Sequence, residues 1–78
     1  MKPILYIVIP CYNEEEVLPK TKNIFLNKIT DLVSLGKIDE QSRVLFVNDG
    51  SRDDTWKIIS DLAKENHYFK GISLSRTR

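Results

Sequence analysis

The stretch FVNDGSRDDTW, residues 46–56, indicates the fold class. It begins at the end of an apolar run, VLFV at positions 44–47, which is typical of a strand buried in a sheet. The polar turn that follows is dense in acids around Gly50. Ser51, three residues before Asp54, is a capping-box-like start for a helix. The stretch therefore predicts a strand, a polar turn and a helix in immediate succession.

The same order of strand, turn and helix precedes this stretch. Residues 4–9, ILYIVI, form an unbroken apolar run that predicts a strand buried on both faces. Pro10 is expected to end that strand because proline lacks the N–H that a ladder needs. Apolar residues then recur at three- and four-residue spacing over residues 17–35, which predicts a helix. Pro19 fits its first turn, and Gly36 is expected to close it with a positive φ.

A second helix and a third strand complete the pattern. The helix fades near residue 66, and its apolar stripe is Trp56, Ile59, Leu62 and Ala63. We expect Trp56 and Phe25 to lie in the core. Residues 69–74 predict a shorter strand. The resulting order, β-α-β-α-β with right-handed crossovers, predicts a three-stranded parallel sheet in a Rossmann-like α/β fold.

Both polar turns fall at one edge of this predicted sheet. Residues 10–16 follow the first strand and residues 48–54 follow the second. Ligands of open α/β sheets bind in the crevice outside the carboxyl ends of the strands. The sequence therefore predicts a binding site built from the two turns.

Composition restricts the classes of function. With 78 residues, 41% of them hydrophobic and 29% charged, the chain has the composition of one small soluble domain. A net charge of +1 gives no electrostatic reason to bind nucleic acid. The single cysteine, Cys11, excludes an internal disulfide and suits a reducing cytosol; its place in the first turn could leave it accessible. No apolar run is long enough to cross a membrane.

The acids at the predicted edge have two interpretations. Neither G-x-G-x-x-G nor G-x-x-x-x-G-K-[ST] occurs, so a glycine loop does not cradle phosphates. Helix N-termini favour negative charge, and capping is the simplest role for Glu15, Glu16, Asp53 and Asp54. Asp49 differs because it precedes the expected cap, and its carboxylate is suited to accept an N–H of a nucleotide base. Tyr12 offers a ring for stacking, and a nucleotide diphosphate at so acidic an edge calls for Mg²⁺ or Mn²⁺.

The two turns together resemble a known family. IVIPCYNEEEVLP at residues 7–19 and LFVNDGSRDDTW at residues 45–56 are similar to the start of the inverting family 2 glycosyltransferases, and the tail GISLSRTR resembles that family's third strand. The likeness spans essentially all 78 residues. It implies half of a nucleotide-diphospho-sugar transferase domain of GT-A type, with sheet order 3-2-1. The branch it most resembles is that of polyprenyl-phosphate sugar transferases, such as dolichol-phosphate mannose synthase and undecaprenyl-phosphate glucosyltransferases.

The resemblance implies nucleotide-binding roles for five residues. Pro10, Tyr12 and Glu14 would line the pocket for the base and ribose. Asp49 would accept from the uracil or guanine edge, and Gly50 would let the backbone approach the ligand closely.

The resemblance also implies what the chain lacks. Asn48 stands where the family commonly has a second aspartate, so we expect no metal role there. The family's D-x-D motif, catalytic base, acceptor-binding region and membrane-associated helices would lie beyond position 78. Residues 1–78 are therefore expected to be one N-terminal nucleotide-binding portion of an enzyme that moves sugar from a UDP- or GDP-sugar to an acceptor such as a polyprenyl phosphate.

Several expectations follow for this portion. It should contain no catalytic or metal-binding residue and should be inactive alone, whereas the full-length enzyme should need Mg²⁺ or Mn²⁺. We expect a location in the cytoplasm or at the cytoplasmic face of the membrane. Arg76 and Arg78 are expected to form a solvated tail.

Two other interpretations stay open. The exposed edge of the ILYIVI strand could pair with another copy, which would give a self-associating fragment without autonomous ligand binding. A receiver domain also places an acid at a strand end. It needs a further acidic pair, which residues 14–16 could imitate, and a later lysine-bearing strand that the sequence lacks.

Overall fold

The chain forms a small parallel sheet with two helices. A computed structural model describes residues 2–74. Its elements are β1 (Tyr6–Cys11), α1 (Leu18–Ser34), β2 (Arg43–Asp49), α2 (Thr55–Glu65) and β3 (Phe69–Leu74). The strands lie in the order β1-β2-β3, and both neighbouring pairs are parallel. This arrangement confirms the predicted β-α-β-α-β fold class and the central position of the second strand.

Both helices cover the same face of the sheet. Phe46 of β2 and Gly71 of β3 are register partners, so their Cβ positions point to the same side. Phe25 of α1 meets the Phe46 ring edge-on, with ring centroids 6.3 Å apart, and Ile59 of α2 packs against Gly71. Phe46 and Ile59 are fully buried. The core therefore lies between this face and the two helices.

The ends of α1 follow from its sequence. Pro19 lies in the first turn, where its missing N–H costs no helical hydrogen bond. Gly36 adopts φ +73°, and its N–H donates to the carbonyl of Val33 while the Lys37 N–H donates to the carbonyl of Leu32. These two bonds form a Schellman motif, which confirms the predicted stop at glycine.

The expectations for the first strand were partly wrong. β1 does not end before Pro10 but continues to Cys11, with Pro10 paired in register to Val47. The carbonyl of Leu5 accepts from the N–H of Arg43, and alternation along the strand turns the nitrogen of Pro10 away from β2. Because β1 is an edge strand, that missing N–H breaks no ladder bond.

β1 is also not buried on both faces. Val8 is 56% exposed, because both helices lie on the opposite side of the sheet. Its register neighbours across the sheet are Leu45 and Lys70. Further along this uncovered face, Ile72 is 45% exposed. Within residues 2–74 neither helix covers this apolar surface, which we call the open face (Tyr6, Val8, Pro10, Leu45, Val47, Ile72 and Leu74).

Two expectations for α2 were wrong as well. The helix begins at Thr55, and its N-cap residue, Asp54, makes no capping bond through its side chain. Ser51 lies too far upstream to cap it, so no capping box forms. Trp56 is 37% exposed rather than a core residue. It packs beside Gly71 of β3, and β3 is an edge strand with no further element outside it in the described chain.

Candidate functional site

The turns after β1 and β2 meet at the carboxyl edge of the sheet. Cys11 of β1 is the register partner of Asn48 of β2, so the backbone segments that follow the two strands leave the sheet side by side. The first turn, residues 12–17, leads into α1, and the second turn, residues 50–54, leads into α2. The predicted proximity of the two turns is confirmed by direct hydrogen bonds between them.

Asn13 hydrogen-bonds to the second turn through both its backbone and its side chain. Its backbone N–H donates to Oγ of Ser51 over 2.9 Å. Its side-chain Oδ1 accepts from the backbone N–H of Arg52 over 2.8 Å. Asn13 adopts φ +52°, a left-handed conformation that asparagine tolerates better than most residues. The serine expected to cap α2 therefore holds the first turn instead.

Thr55 and Asp53 make the second set of bonds. The N–H of Glu14 donates to Oγ1 of Thr55 over 2.7 Å, and the N–H of Glu15 donates to Oδ2 of Asp53 over 3.3 Å. Asp53 Oδ1 accepts from the N–H of Thr55 over 3.0 Å and also from the Thr55 hydroxyl. Thr55 is fully buried at the start of α2. The acid and the hydroxyl together satisfy the backbone of the first turn.

Asn48 connects the second turn to β3. Its Oδ1 accepts from the N–H of Ser51 over 3.2 Å, and its Nδ2 donates to Oγ of Ser73 over 3.0 Å. The side chain is almost completely buried. An amide is suited to this position because it accepts on one side and donates on the other. Asn48 thus has a structural role at the edge.

The five residues with predicted nucleotide contacts lie at this same edge. Pro10 is near the end of β1, and Asp49 is the last residue of β2. Tyr12 is 55% exposed, whereas Glu14 and Asp49 are half-buried. Gly50 adopts φ +70°, which a residue with a side chain rarely tolerates. The topology brings all five residues to one rim, and their contacts with a nucleotide stay a prediction.

The interpretation of the other acids as helix caps holds for Asp53 alone. Glu15 and Glu16 lie in the turn before α1, where the N-cap is Val17 and no side chain caps the helix. Asp53 accepts from the N–H of the first residue of α2. Burial acts to raise the pKa of Asp53, but the hydrogen bonds from Thr55 and Glu15 outweigh it and hold that pKa below its usual range.

Cys11 is not the accessible thiol that its position suggested. It is only 1% exposed. Burial, and to a lesser extent the neighbouring charge of Glu14, raises the pKa of Cys11 from 9.0 to about 11. The thiol is therefore protonated at neutral pH, and the thiolate that a nucleophile requires is scarce.

Neither a metal cluster nor a membrane-spanning helix occurs among residues 2–74. In this range no three His, Cys, Asp or Glu side chains converge to hold a metal ion. Over the same residues, neither helix has the length and apolar character needed to cross a membrane. Arg76 and Arg78 lie outside the described residues.

Sequence reasoning missed three residues that build this edge. Asn13, Ser51 and Thr55 connect the two turns, yet each is a common loop or helix-start residue. The available signal was the position of Asn13 between Tyr12 and Glu14, because asparagine favours left-handed turns. Its partners across the edge are distant in sequence, so local patterns do not reveal them.

Comparison with known proteins identifies the family. Residues 6–78 match the family described as Glycosyl transferase family 2. The chain belongs to glycosyl transferase family 2. This assignment confirms the resemblance of the two turns, and the parallel β-α-β-α-β unit is the structure that this family 2 sequence forms.

Curated relatives of this family 2 chain carry glycosyltransferase names. The uncharacterized glycosyltransferase YkoT of Bacillus subtilis (strain 168) is 40% identical over 74 residues, which are 95% of this chain and 22% of the relative. A prophage bactoprenol glucosyl transferase homolog of Escherichia coli (strain K12) is 33% identical over 70 residues, or 90% of this chain and 21% of the relative. The dolichyl-phosphate beta-glucosyltransferase ALG5A of Trichomonas vaginalis is 38% identical over 61 residues, or 78% and 19%. The chain spans about a fifth of the length of these relatives.

Proposed function

We propose that the chain forms the donor-nucleotide half-site of a glycosyltransferase that uses a UDP- or GDP-sugar. One observation carries the proposal: in a family 2 chain, two polar turns are hydrogen-bonded together at the carboxyl edge of a parallel sheet. Ligands of open α/β sheets bind at this edge.

Each predicted residue has a role that its position allows. Asp49, at the tip of β2, would accept an N–H from the base. The half-exposed ring of Tyr12 would stack on the base, with Pro10 and Glu14 beside the base and ribose. Gly50, with its positive φ, would let the backbone approach the nucleotide without a Cβ in the way.

The acceptor in this proposal is a polyprenyl phosphate. The relatives named as a prophage bactoprenol glucosyl transferase homolog and as a dolichyl-phosphate beta-glucosyltransferase support that class of acceptor. Such an enzyme would act in the cytoplasm or at the cytoplasmic face of a membrane. We further propose that the chain alone transfers no sugar. The complete enzyme would use Mg²⁺ or Mn²⁺.

Titration calorimetry of the chain with UDP and with GDP tests the binding role. We expect measurable binding of one of them that Asp49→Ala abolishes. Loss of a hydrogen bond to a charged group costs about 1.5–3 kcal/mol, which is roughly a 10- to 150-fold increase in Kd. Asp54→Ala is the matched control, because Asp54 is an exposed acid in the turn that follows Asp49 and its side chain makes no capping bond. Absence of heat with either nucleotide, or equal losses in both variants, would contradict the proposal.

The open face favours a second candidate, a self-associating fragment that binds no nucleotide by itself. Val8 lies on the edge strand β1, and Ile72 lies on the other edge strand, β3. Both side chains are about half exposed on this face. Edge strands present unpaired backbone groups to other chains. The calorimetry above separates the candidates, because this one predicts no nucleotide heat at any concentration of chain.

A further inference from the structure

We propose that Asn13 and Asp53 are positioning residues that hold the first turn on the second and thereby set how tightly the edge binds its nucleotide. Neither residue is among the five with predicted nucleotide contacts. The affinity part of this inference rests on the proposed function, whereas the hydrogen-bonded connection between the turns does not.

The first turn takes its shape from the second turn. Three consecutive backbone N–H groups, those of residues 13, 14 and 15, each donate to a side-chain oxygen of the second turn or of the start of α2. These oxygens belong to Ser51, Thr55 and Asp53. The backbone that presents Tyr12 and Glu14 is thus held by side chains about 40 positions away, rather than by a local ladder.

Asn13 also offers a side-chain acceptor in the first turn to a backbone N–H of the second turn. Its Oδ1 accepts from the N–H of Arg52, so each turn donates a backbone N–H to a side chain of the other. The bond joins Arg52, two residues after Gly50, to Asn13, which directly follows Tyr12. Loss of the Oδ1 acceptor would leave the Arg52 N–H to water and remove this connection, while the bonds from the N–H groups of residues 13–15 remain. The two turns would then be held less firmly.

Asp53 fixes the orientation of a buried hydroxyl. Thr55 has one hydroxyl hydrogen, and it points at the carboxylate of Asp53. The lone pairs of the same oxygen therefore remain available to the N–H of Glu14, which donates over 2.7 Å. An amide at position 53 would place an NH₂ group against the N–H of Glu15 or against the donors of Thr55. The charge at Asp53 is thus connected to the position of the first turn through Thr55.

A ligand that contacts both turns benefits from this fixed arrangement. If the turns moved independently, binding would have to order them, and that ordering opposes association. We therefore expect removal of either positioning residue to weaken nucleotide binding without removing any group that contacts the nucleotide. For Asn13, the loss of one neutral hydrogen bond corresponds to a rise in Kd of about 3- to 10-fold.

The first experiment compares Asn13→Gly with Asn13→Asp. Glycine keeps the left-handed backbone and removes the acceptor, whereas aspartate keeps an acceptor oxygen. We expect Asn13→Gly to speed amide hydrogen exchange at residues 13–15 and 52, and to raise the Kd for UDP or GDP, whichever the unchanged chain binds. Asn13→Asp should restore most of both properties. Unchanged exchange in Asn13→Gly, or an equal loss of affinity in both variants, would overturn the proposal.

A second pair of variants keeps the test valid if Asn13→Gly loses its fold. Asp53→Asn should speed exchange at residues 14 and 15 and weaken nucleotide binding, whereas Asp54→Asn should do neither. The melting temperature of each variant shows whether the whole fold has loosened. Equal effects of the two aspartate variants would overturn the role of Asp53. If the unchanged chain binds neither nucleotide, the proposed function and the affinity claim both fail, and amide exchange alone decides whether the connection exists.

Discussion

At the residue scale, the acids of one short turn have different roles. Asp53 accepts three hydrogen bonds and ties the first turn to α2, whereas Asp54 caps nothing through its side chain. Asp49 ends β2, at the edge where a parallel sheet binds ligands. The separation of Asp49 from the other two was predictable because Asp49 lies at the tip of the strand, before the expected cap at Ser51. The bond from Glu15 to Asp53 was not predictable, because it joins positions 38 apart.

Cys11 provides a prediction at the same scale. Because it is 1% exposed and its pKa is raised to about 11, we expect iodoacetamide to modify the folded chain far more slowly than the urea-unfolded chain at pH 8. Mass spectrometry of quenched samples measures both rates. The folded chain should lose stability as pH rises from about 9 towards about 11, because the unfolded thiol ionises first. Equal modification rates would contradict the burial of Cys11. Cys11→Ala, which should lack this alkaline loss of stability, is the control.

At the element scale, position in the sheet explains what the sequence pattern did and did not predict. The boundaries of α1 were readable from Pro19 and Gly36, because their backbone preferences are local. The end of β1 could not be predicted from Pro10, because an edge strand tolerates a proline where the backbone nitrogen faces away from the neighbouring strand. Trp56 fits a helical apolar stripe, yet its neighbour β3 is an edge strand, so the ring stays 37% exposed. Periodicity shows which side of an element is apolar but not whether another element covers it.

The contact between α2 and β3 gives a prediction about Gly71. A Cβ at this position would collide with Cγ2 of Ile59, and it would lie 3.3 Å from the ring of Trp56. Gly71→Ala should therefore lower the free energy of unfolding by about 1–3 kcal/mol, measured by urea denaturation. Ile59→Leu removes the Cγ2 branch. In that background, Gly71→Ala should therefore cost less free energy of unfolding than it does in the unchanged chain. A neutral Gly71→Ala variant would contradict the close packing of α2 on β3.

At the scale of the whole molecule, the sheet has one covered and one uncovered face. Both helices lie on the side of Phe46 and Gly71, whereas Val8 and Ile72 remain about half exposed on the open face. The sequence indicated strands buried on both faces, because their apolar runs are continuous. This expectation was wrong for β1, since burial depends on how many helices pack on the sheet and not on the strand sequence. The layer order was predictable, but the exposure of its second face was not.

The open face leads to a prediction about association. In a solution of this chain alone, another copy can cover the face, so we expect reversible self-association that grows with concentration in analytical ultracentrifugation. Val8→Lys places a charge on the free edge strand and should shift the chain towards monomer. Asn23→Lys, at an exposed position of α1, adds the same charge elsewhere and should leave association unchanged. A chain that stays monomeric at every concentration would contradict this use of the open face.

Amide NMR shows residue by residue whether the edge formed by the two turns binds a nucleotide. A ¹⁵N-labelled chain is titrated with UDP and, separately, with GDP. We expect saturable shifts for one of them, concentrated at Tyr12, Glu14, Asp49 and Gly50. The control region is a cavity at the amino-terminal ends of β2 and β3, lined in part by Arg43 and Lys70, whose positive charges would attract any anion. Shifts confined to that cavity, or no shifts with either nucleotide, would contradict nucleotide binding at the edge formed by the two turns.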